Sequence, residues 1–355
     1  MKYLSFLMLC GMTACAVSTP APTVVSSPVP SPTAIATSTP QPIVFEEPKF
    51  TFQGEDPRVP IVTNNPSLEI RNLYINPGAV MFHDDQFHMF FNSFTAWPGL
   101  VKVGYMTSRD GYRWRMAQET PVFTTDRIPY GDGEADVSSV VVMEDGNWVM
   151  YFHTIDGGEI GRATAASPLG PWAVDPDPVL KPGSEVAWDQ LGLGWPSVVK
   201  DGDELRMYYG VKTTDGYAIS LATSSDGINW TKYNDPATTE DEFAESDPVF
   251  TGSEEWEGNR VDRPRVVKSP DGWVMIYQGG ATVEKRGLAI SNDGILWEKY
   301  PANPIFHQDV FPIPRARTWD TNLLYHDGTY YYFMELGTLN ETNLFLATHQ
   351  GSLKK

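Results

Sequence analysis

Hydrophobic and polar residues alternate along this chain in short runs, and the same order of runs recurs. One copy has a buried strand at 195–199, an acidic turn at Asp201-Gly202, and a second strand rich in aromatic residues and Met at 205–209. Apolar runs joined by an Asp-Gly turn are a strong signal for a β-hairpin. Equivalent copies begin near Asn76, Asp136, Asp262 and Asp320. The pattern therefore predicts a series of similar hairpins.

Two further signatures follow the hairpins in a fixed order. The first is a tight turn leading to a Trp, at Trp114, Trp230 and Trp297, with a weaker copy at Trp172. The second is Pro followed by two apolar residues, at 121–123, 178–180, 248–250 and 304–306. A repeat of about 60 residues, built from short strands without helical periodicity, predicts an all-β, five-bladed β-propeller. A β-sandwich is the alternative, but evenly spaced strands alone would not repeat these signatures in the same order.

Composition changes along the chain and divides it into three parts. Residues 1–15 have the apolar run of a signal peptide and end in Met12-Thr13-Ala14-Cys15, which resembles a bacterial lipobox and predicts lipidation of Cys15. An ordinary secretory leader is the alternative. Residues 16–49 are rich in Pro, Ser and Thr, which predicts a flexible linker. The propeller is expected over 50–355, with part of 50–75 closing the ring and 351–355 frayed.

The overall charge narrows the choice of partners. The net charge of -19 argues against nucleic acid and against anionic membrane surfaces, since both require basic footprints. We therefore expect membrane contact only through a lipid anchor, an extracytoplasmic location in a bacterium, and a monomer. The chain has 2 cysteines, and removal of the leader would take Cys10 with it, so no disulfide is expected within the mature chain.

Candidate chemistry lies where the blades begin, because the first strand of each blade in a propeller lines the central channel. These starts lie around Asn76, Asp136, Trp195, Asp262 and Asp320. Carboxyl groups crowded into one cavity repel each other as anions, so the pKa of at least one should rise. Paired carboxyl groups with separated pKa values are what glycosidic cleavage requires.

The repeat order, the Asp-Gly hairpins and the turn-Trp elements resemble the five-bladed glycoside hydrolases that include β-xylosidases, arabinanases, invertases and levansucrases. The resemblance covers about residues 55–350. It implies an Asp at the start of blade one, a second Asp in blade two and a Glu in blade three. Asp136 matches the blade-two residue, whereas Asn76 and Gly194-Trp195 stand where the other two acids are expected. An amide cannot act as a base and an indole cannot donate a proton to a leaving group. Either the register is shifted, or the catalytic acids come from elsewhere, or the chain is no longer a hydrolase of that kind.

The candidate residues fall into two groups. The catalytic candidates are Asp136, Asp262, Glu134, Asp189 and Asp320. The substrate-binding candidates are Asn76, Trp195, Arg263, Arg265 and Trp319. The arginines have the alternative role of ion pairs with channel carboxylates, and the tryptophans could instead pack between blades.

These residues lead to one hypothesis and two alternatives. We expect cleavage of a glycosidic bond in an oligosaccharide or polysaccharide. The chain could instead be a surface lipoprotein that binds glycans without cleaving them, or a phosphorylase that uses the arginines to hold phosphate. We expect no cofactor and no metal, since the histidines lack metal-ligand spacing.

Overall fold

The repeated hairpins form five antiparallel sheets in the computed structural model, which describes residues 42–155, 158–280 and 282–355. Blade one contains β2 (Tyr74–His83), β3 (Gln86–Phe94), β4 (Lys102–Ser108), β5 (Arg115–Met116) and β6 (Phe123–Thr124). Blade two contains β7 (Ala135–Val142), β8 (Trp148–Thr154), β9 (Ile160–Ala165) and β10 (Ala173–Val174). Blade three contains β11 (Leu193–Asp201), β12 (Glu204–Lys212), β13 (Tyr217–Ser224), β14 (Thr231–Lys232) and β15 (Pro248–Phe250).

The remaining blades follow the same plan. Blade four contains β16 (Val261–Ser269), β17 (Gly272–Gly279), β18 (Lys285–Ser291) and β19 (Trp297–Lys299). Blade five contains β20 (Arg317–His326), β21 (Thr329–Gly337), β22 (Thr342–Gln350) and, from the other end of the chain, β1 (Thr51–Phe52). Three short 3-10 helices lie in connections of the described part, at Thr125–Arg127, Asp241–Phe243 and Glu255–Glu257.

The inner strands β2, β7, β11, β16 and β20 contact one another in a closed ring. Buried apolar residues form five clusters, and each cluster joins two neighbouring blades. A blade therefore buries its faces only against its neighbours, as expected for a repeat architecture. The predicted all-β, five-bladed β-propeller is confirmed.

The turn-Trp elements are structural, as predicted. In blade three, Oδ1 of Asp226 accepts hydrogen bonds from the backbone N–H groups of Ile228 and Asn229, both at 2.8 Å. Asp110 and Asp293 accept equivalent bonds in blades one and four. The three carboxylates therefore stabilise tight turns on the outer parts of blades one, three and four, and this is their role in the fold.

Both ends of the described chain close the ring. Strand β1 pairs with β22 in blade five, which confirms the prediction that the segment before blade one closes the propeller. The structure differs from the predicted boundary at residue 50, because Ile43 is buried and Phe45 forms a β-bridge with Lys354. The predicted fraying of the C-terminus is wrong, since Leu353 is buried and its N–H donates to Asp271 Oδ2 at 2.7 Å.

The predicted signal peptide, Cys15 and most of the predicted linker lie outside the described residues. Within the described residues, no helix is long and apolar enough to cross a membrane.

Candidate active site

Each inner strand carries a local irregularity near its start, at the same height around the ring. The regular pairing shifts between Asn76 and Ala79 in β2, and between Asp262 and Arg265 in β16, with equivalent shifts in β7, β11 and β20. Such bulges re-aim side chains and are common beside active sites. Here they turn polar side chains of the inner strands towards one end of the central channel.

A cavity of about 260 Å³ opens at this end, between blades one, four and five. Its polar floor consists of Asn76, Arg263, Asp320 and Glu335. Its apolar wall consists of Tyr74, Phe94, Trp97, Trp319 and Leu339. The floor residues are largely buried, whereas Trp97 is 44% exposed and Leu339 is 69% exposed at the outer edge. A few convergent polar groups inside an apolar cavity are typical of a ligand site.

Asp320 is the central carboxylate of the polar floor. Its Oδ1 accepts a hydrogen bond from Arg263 Nε at 3.1 Å and lies 3.7 Å from Arg265 Nη2. Burial alone would raise the pKa of Asp320, but the charges of the two arginines outweigh it and hold that pKa below its ordinary value. Asp320 is therefore ionised at neutral pH.

Glu335 lies beside Asp320 on the neighbouring strand, and its Oε2 accepts a hydrogen bond from the Asp320 N–H at 3.0 Å. Its side chain is buried. Burial, with a further contribution from the negative charge of Asp320, raises the pKa of Glu335 to about 8. Glu335 is therefore a carboxylic acid at neutral pH, directly beside an ionised carboxylate.

Asp136 is a third carboxyl group, buried beneath the floor and held by two amides. Asn76 Nδ2 lies 3.4 Å from Asp136 Oδ1, and Asn92 donates to the same oxygen. Asn92 also donates to Asn76 Oδ1 at 2.8 Å, so the two amides are mutually oriented. Burial, together with the nearby charge of Asp320, raises the pKa of Asp136 well above its ordinary value.

The predicted carboxylate Asp262 is engaged in ion pairs. Its Oδ2 accepts two hydrogen bonds from Arg260, at 2.8 and 3.0 Å, and lies 3.7 Å from Arg263 Nη1. Asp262 is fully buried and does not line the cavity. Arg260 and Arg263 are thus paired with channel carboxylates.

Trp195 lies behind the cavity floor and supports Arg263. The Arg263 guanidinium stacks over the Trp195 ring at 4.2 Å, and the ring of His153 packs against the indole with 5.1 Å between centroids. Both Trp195 and Arg263 have left-handed backbone conformations, with φ of 52° and 48°. Bulky residues rarely adopt this conformation, and strain of this kind clusters at functional sites.

Three other candidates lie away from the cavity. Asp189 is fully buried in an ion pair with Lys232 on the outermost part of blade three, where the N–O distance is 2.5 Å. Glu134 lies just before β7 and does not line the cavity. Arg265 lies below the cavity and lines the central channel, which has a volume of about 420 Å³. Its guanidinium donates to the Thr321 carbonyl.

The cavity therefore brings together Asn76, Arg263, Trp319 and Asp320 from the predicted set and adds Glu335, which was not predicted. Glu335 follows the apolar and aromatic run 330–334 within β21, so a carboxyl group interrupting a buried strand was the available signal. No group of three or more potential metal ligands occurs among the residues that the structure describes.

Comparison with known proteins gives matches at the level of fold. No protein-family model and no curated protein sequence matches the chain. A solved structure from work on the GH130 family of mannoside phosphorylases, containing glycoside hydrolases that target β-1,2 mannosidic linkages in Candida mannan, is 16% identical. It covers 88% of this chain and 97% of its own, with a TM-score of 0.62.

Two further solved structures are similar. A glycosyl hydrolase from Bacteroides ovatus is 16% identical and covers 88% of this chain and 97% of its own, with a TM-score of 0.63. A thermostable family-43 glycoside hydrolase is 17% identical and covers 80% and 91%, with a TM-score of 0.57. The chain thus shares the five-bladed fold of glycoside hydrolases and mannoside phosphorylases.

Proposed function

We propose that this protein cleaves a glycosidic bond, with Glu335 as the general acid and Asp320 as the partner carboxylate. The observation that carries the proposal is the hydrogen bond from the Asp320 backbone N–H to Glu335, with both side chains at the floor of one cavity that has an apolar, aromatic-rich wall. One is protonated and the other ionised at neutral pH, because burial dominates at Glu335 and the arginines dominate at Asp320. Two carboxyl groups with separated pKa values are the chemical requirement for glycoside hydrolysis.

In the proposed reaction, Glu335 transfers its proton to the glycosidic oxygen as the bond to the anomeric carbon breaks. Asp320 either attacks the anomeric carbon or takes a proton from the water that does so. Asn76 and Arg263 are placed to contact sugar hydroxyl groups from the same floor. Arg265 and Asp136 act on Asp320 from below, and both lower its pKa: Arg265 through its positive charge and Asp136 through a side-chain hydrogen bond.

Phosphorolysis is the second candidate, favoured by the presence of Arg263 in the cavity and by the similarity to a structure from work on the GH130 family of mannoside phosphorylases. Arginine binds phosphate oxygens well. However, Arg263 already pairs with Asp320 at 3.1 Å, so a bound phosphate would compete with that carboxylate. Hydrolysis requires no such displacement, and we therefore place it first.

The test is a turnover screen of the purified protein on aryl glycosides and on plant and bacterial oligosaccharides, with and without inorganic phosphate. We expect hydrolysis that does not need phosphate. Glu335→Gln and Asp320→Asn should each lower kcat by about 100- to 10,000-fold, the usual contribution of such groups. Glu335→Gln should lose least on substrates whose leaving group needs no proton.

The control is Glu257→Gln, which alters a buried carboxylate that pairs with Lys299 outside the cavity. It should leave kcat within about twofold of the unsubstituted protein if only the cavity carboxyl groups act in the reaction. Activity only in the presence of phosphate would establish a phosphorylase instead. Sugar binding by calorimetry with no turnover on any substrate would establish a glycan-binding protein.

A further inference from the structure

The apolar wall runs continuously from the polar floor to the outside of the cavity. Tyr74 and Phe94 stack with ring centroids 5.4 Å apart and an angle of 13° between their planes. Phe94 in turn packs against Trp97 at 5.3 Å. Trp97 and Leu339 form the outer edge of this wall, and we call these two residues the rim.

The rim exposes apolar surface to solvent, and the fold of this very acidic protein does not require that exposure. Trp97 lies in the connection between β3 and β4, and Leu339 in the connection between β21 and β22. The Tyr74 hydroxyl donates to the Leu339 carbonyl at 2.7 Å, which fixes the second loop against the wall. The Leu339 side chain is 69% exposed although its backbone is held in place. Contiguous exposed apolar surface next to a cavity is typical of a binding site.

Polar and apolar groups are separated by depth in this site. The polar side chains lie at the floor and are about nine-tenths buried or more. They are Asn76, Arg263, Asp320 and Glu335. Among the wall residues, the Tyr74 hydroxyl is already used by Leu339, which leaves the two indole N–H groups as hydrogen-bond donors. A sugar ring needs several hydrogen bonds, and the floor offers four polar side chains for them whereas the rim offers one donor, the Trp97 indole N–H.

We infer that the rim binds the leaving group of the substrate, and that this leaving group is an aromatic ring. This inference rests on the proposed function and specifies its substrate class. A cavity of about 260 Å³ is small for a ligand site, so it holds a terminal sugar while the group beyond the scissile oxygen lies against the rim. A flat aromatic ring lies against Trp97 and Leu339 without leaving polar groups unpaired.

Binding measurements with uncleavable probes test this separately from catalysis. The probes are the phenyl and methyl 1-thioglycosides of mannose, xylose and arabinose, and the observable is Kd by calorimetry with the full-length protein. For the sugar that binds, the phenyl compound should bind about tenfold more tightly than the methyl compound, as expected for one buried aromatic contact. Trp97→Ala and Leu339→Ala should bring this ratio close to one, because they weaken binding of the phenyl compound much more than binding of the methyl compound.

Leu296→Ala is the matched control, because Leu296 is 61% exposed but lies outside the cavity. It should leave the phenyl-to-methyl ratio at its original value. A ratio near one in the unsubstituted protein, no effect of Trp97→Ala, or no binding of any probe would overturn the inference. A thio-linked disaccharide that binds more tightly than the phenyl compound would also overturn it.

The two proposals fail in different ways. If the protein hydrolyses no substrate but prefers phenyl probes through Trp97, the proposed function is wrong and the apolar rim is a ligand-binding surface. If it hydrolyses glycosides through Glu335 but shows no phenyl preference, the catalytic proposal holds and the assignment of the leaving group is wrong.

Discussion

The role proposed for Glu335 is one that the resemblance to five-bladed glycoside hydrolases assigns to a residue of blade three. Gly194-Trp195 occupy that expected position, and Trp195 instead stacks against Arg263. The proton donor proposed here comes from β21 in blade five, where burial and the charge of Asp320 keep it protonated. What makes a carboxyl group an acid is its surroundings, so the same chemistry can be supplied from a different blade.

The raised pKa of Glu335 predicts how stability depends on pH. The folded protein keeps a proton on Glu335 up to about pH 8, whereas the unfolded chain releases it near its ordinary value of 4.5. The free energy of unfolding should therefore fall as pH rises through this window, by at most about 1.4 kcal/mol per pH unit. Urea unfolding at about pH 5 and about pH 8 measures this, and Glu335→Gln should reduce the difference.

Two other carboxyl groups bear on that measurement. The pKa of Asp136 is also raised, so it acts in the same direction and leaves part of the pH dependence in Glu335→Gln. The pKa of Asp320 is lowered, so its stabilising contribution is lost only as pH falls below its ordinary value of 3.8. An unchanged pH dependence in Glu335→Gln would contradict the assignment of a proton to Glu335 at neutral pH.

Part of the site was predictable from the sequence, whereas the proposed general acid, Glu335, was not. Asn76 and Asp320 were predicted from the starts of inner strands, and both line the cavity. Glu335 lies on a second strand, and it reaches the cavity because it faces the bulge that contains Asp320. The ion pair between Asp189 and Lys232 joins residues 43 positions apart, which local pattern alone cannot reveal.

At the scale of single elements, the bulges decide which side chains reach the cavity. A bulge places two residues of one strand opposite one of its neighbour, so it shifts the faces of the residues that follow. In β16 it gives Arg263 a left-handed backbone and directs its guanidinium to Asp320. The hairpins were predictable from the alternation of apolar and polar residues and from the turn residues. The bulges were not, because Trp195 and Arg263 occupy left-handed positions where a glycine would have been the signal in the sequence.

The hairpin turn of blade four also holds the C-terminus in place. Asp271 accepts hydrogen bonds from the Tyr330 hydroxyl and the Leu353 N–H, both at 2.7 Å, and from Ser352. Asp271→Ala would leave the buried Leu353 N–H unpaired and would remove one of the two hydrogen bonds of the buried Tyr330 hydroxyl, and it should lower the free energy of unfolding by about 2–4 kcal/mol. Chemical denaturation measures the loss.

Asp309→Ala provides the comparison for that substitution, since the Asp309 side chain is 94% exposed. It should change the free energy of unfolding by less than about 0.5 kcal/mol. Equal stabilities of the two variants would show that Asp271 is only a turn residue, which is the role its position in the sequence predicted.

At the scale of the whole molecule, the repeat was predictable because three signatures recur in one order. The closure of the ring was predictable in outline but not in extent. Residues 43–49 were included in the predicted linker although they contain a single proline, and Ile43 N–H donates to Glu298 while Phe45 pairs with Lys354. Composition does not reveal contacts between chain ends about 300 residues apart, so both ends were predicted to be looser than they are.

Shortening the chain tests this closure. A protein that begins at residue 42 keeps Ile43, Phe50 and Phe52, whereas one that begins at residue 54 loses them together with β1. The shorter protein should be less stable by about 5 kcal/mol, since each of these apolar side chains contributes about 1.5–3 kcal/mol on burial. Thermal unfolding compares the two, with the full-length chain as reference. Equal melting temperatures would contradict a structural role for this segment.

The pairing of β1 with β22 also removes any fixed starting point from the ring. The junction between the chain ends is a hydrogen-bonded ladder like those inside the other blades. The blade numbers therefore follow the order of the sequence and mark no break in the closed ring. A rearranged gene that joined the two ends through a short linker and opened the chain in the exposed turn at Gly146 would encode the same closed ring. In that ring, Asp320 and Glu335 would lie in a middle blade, yet the cavity would be built from the same three blades.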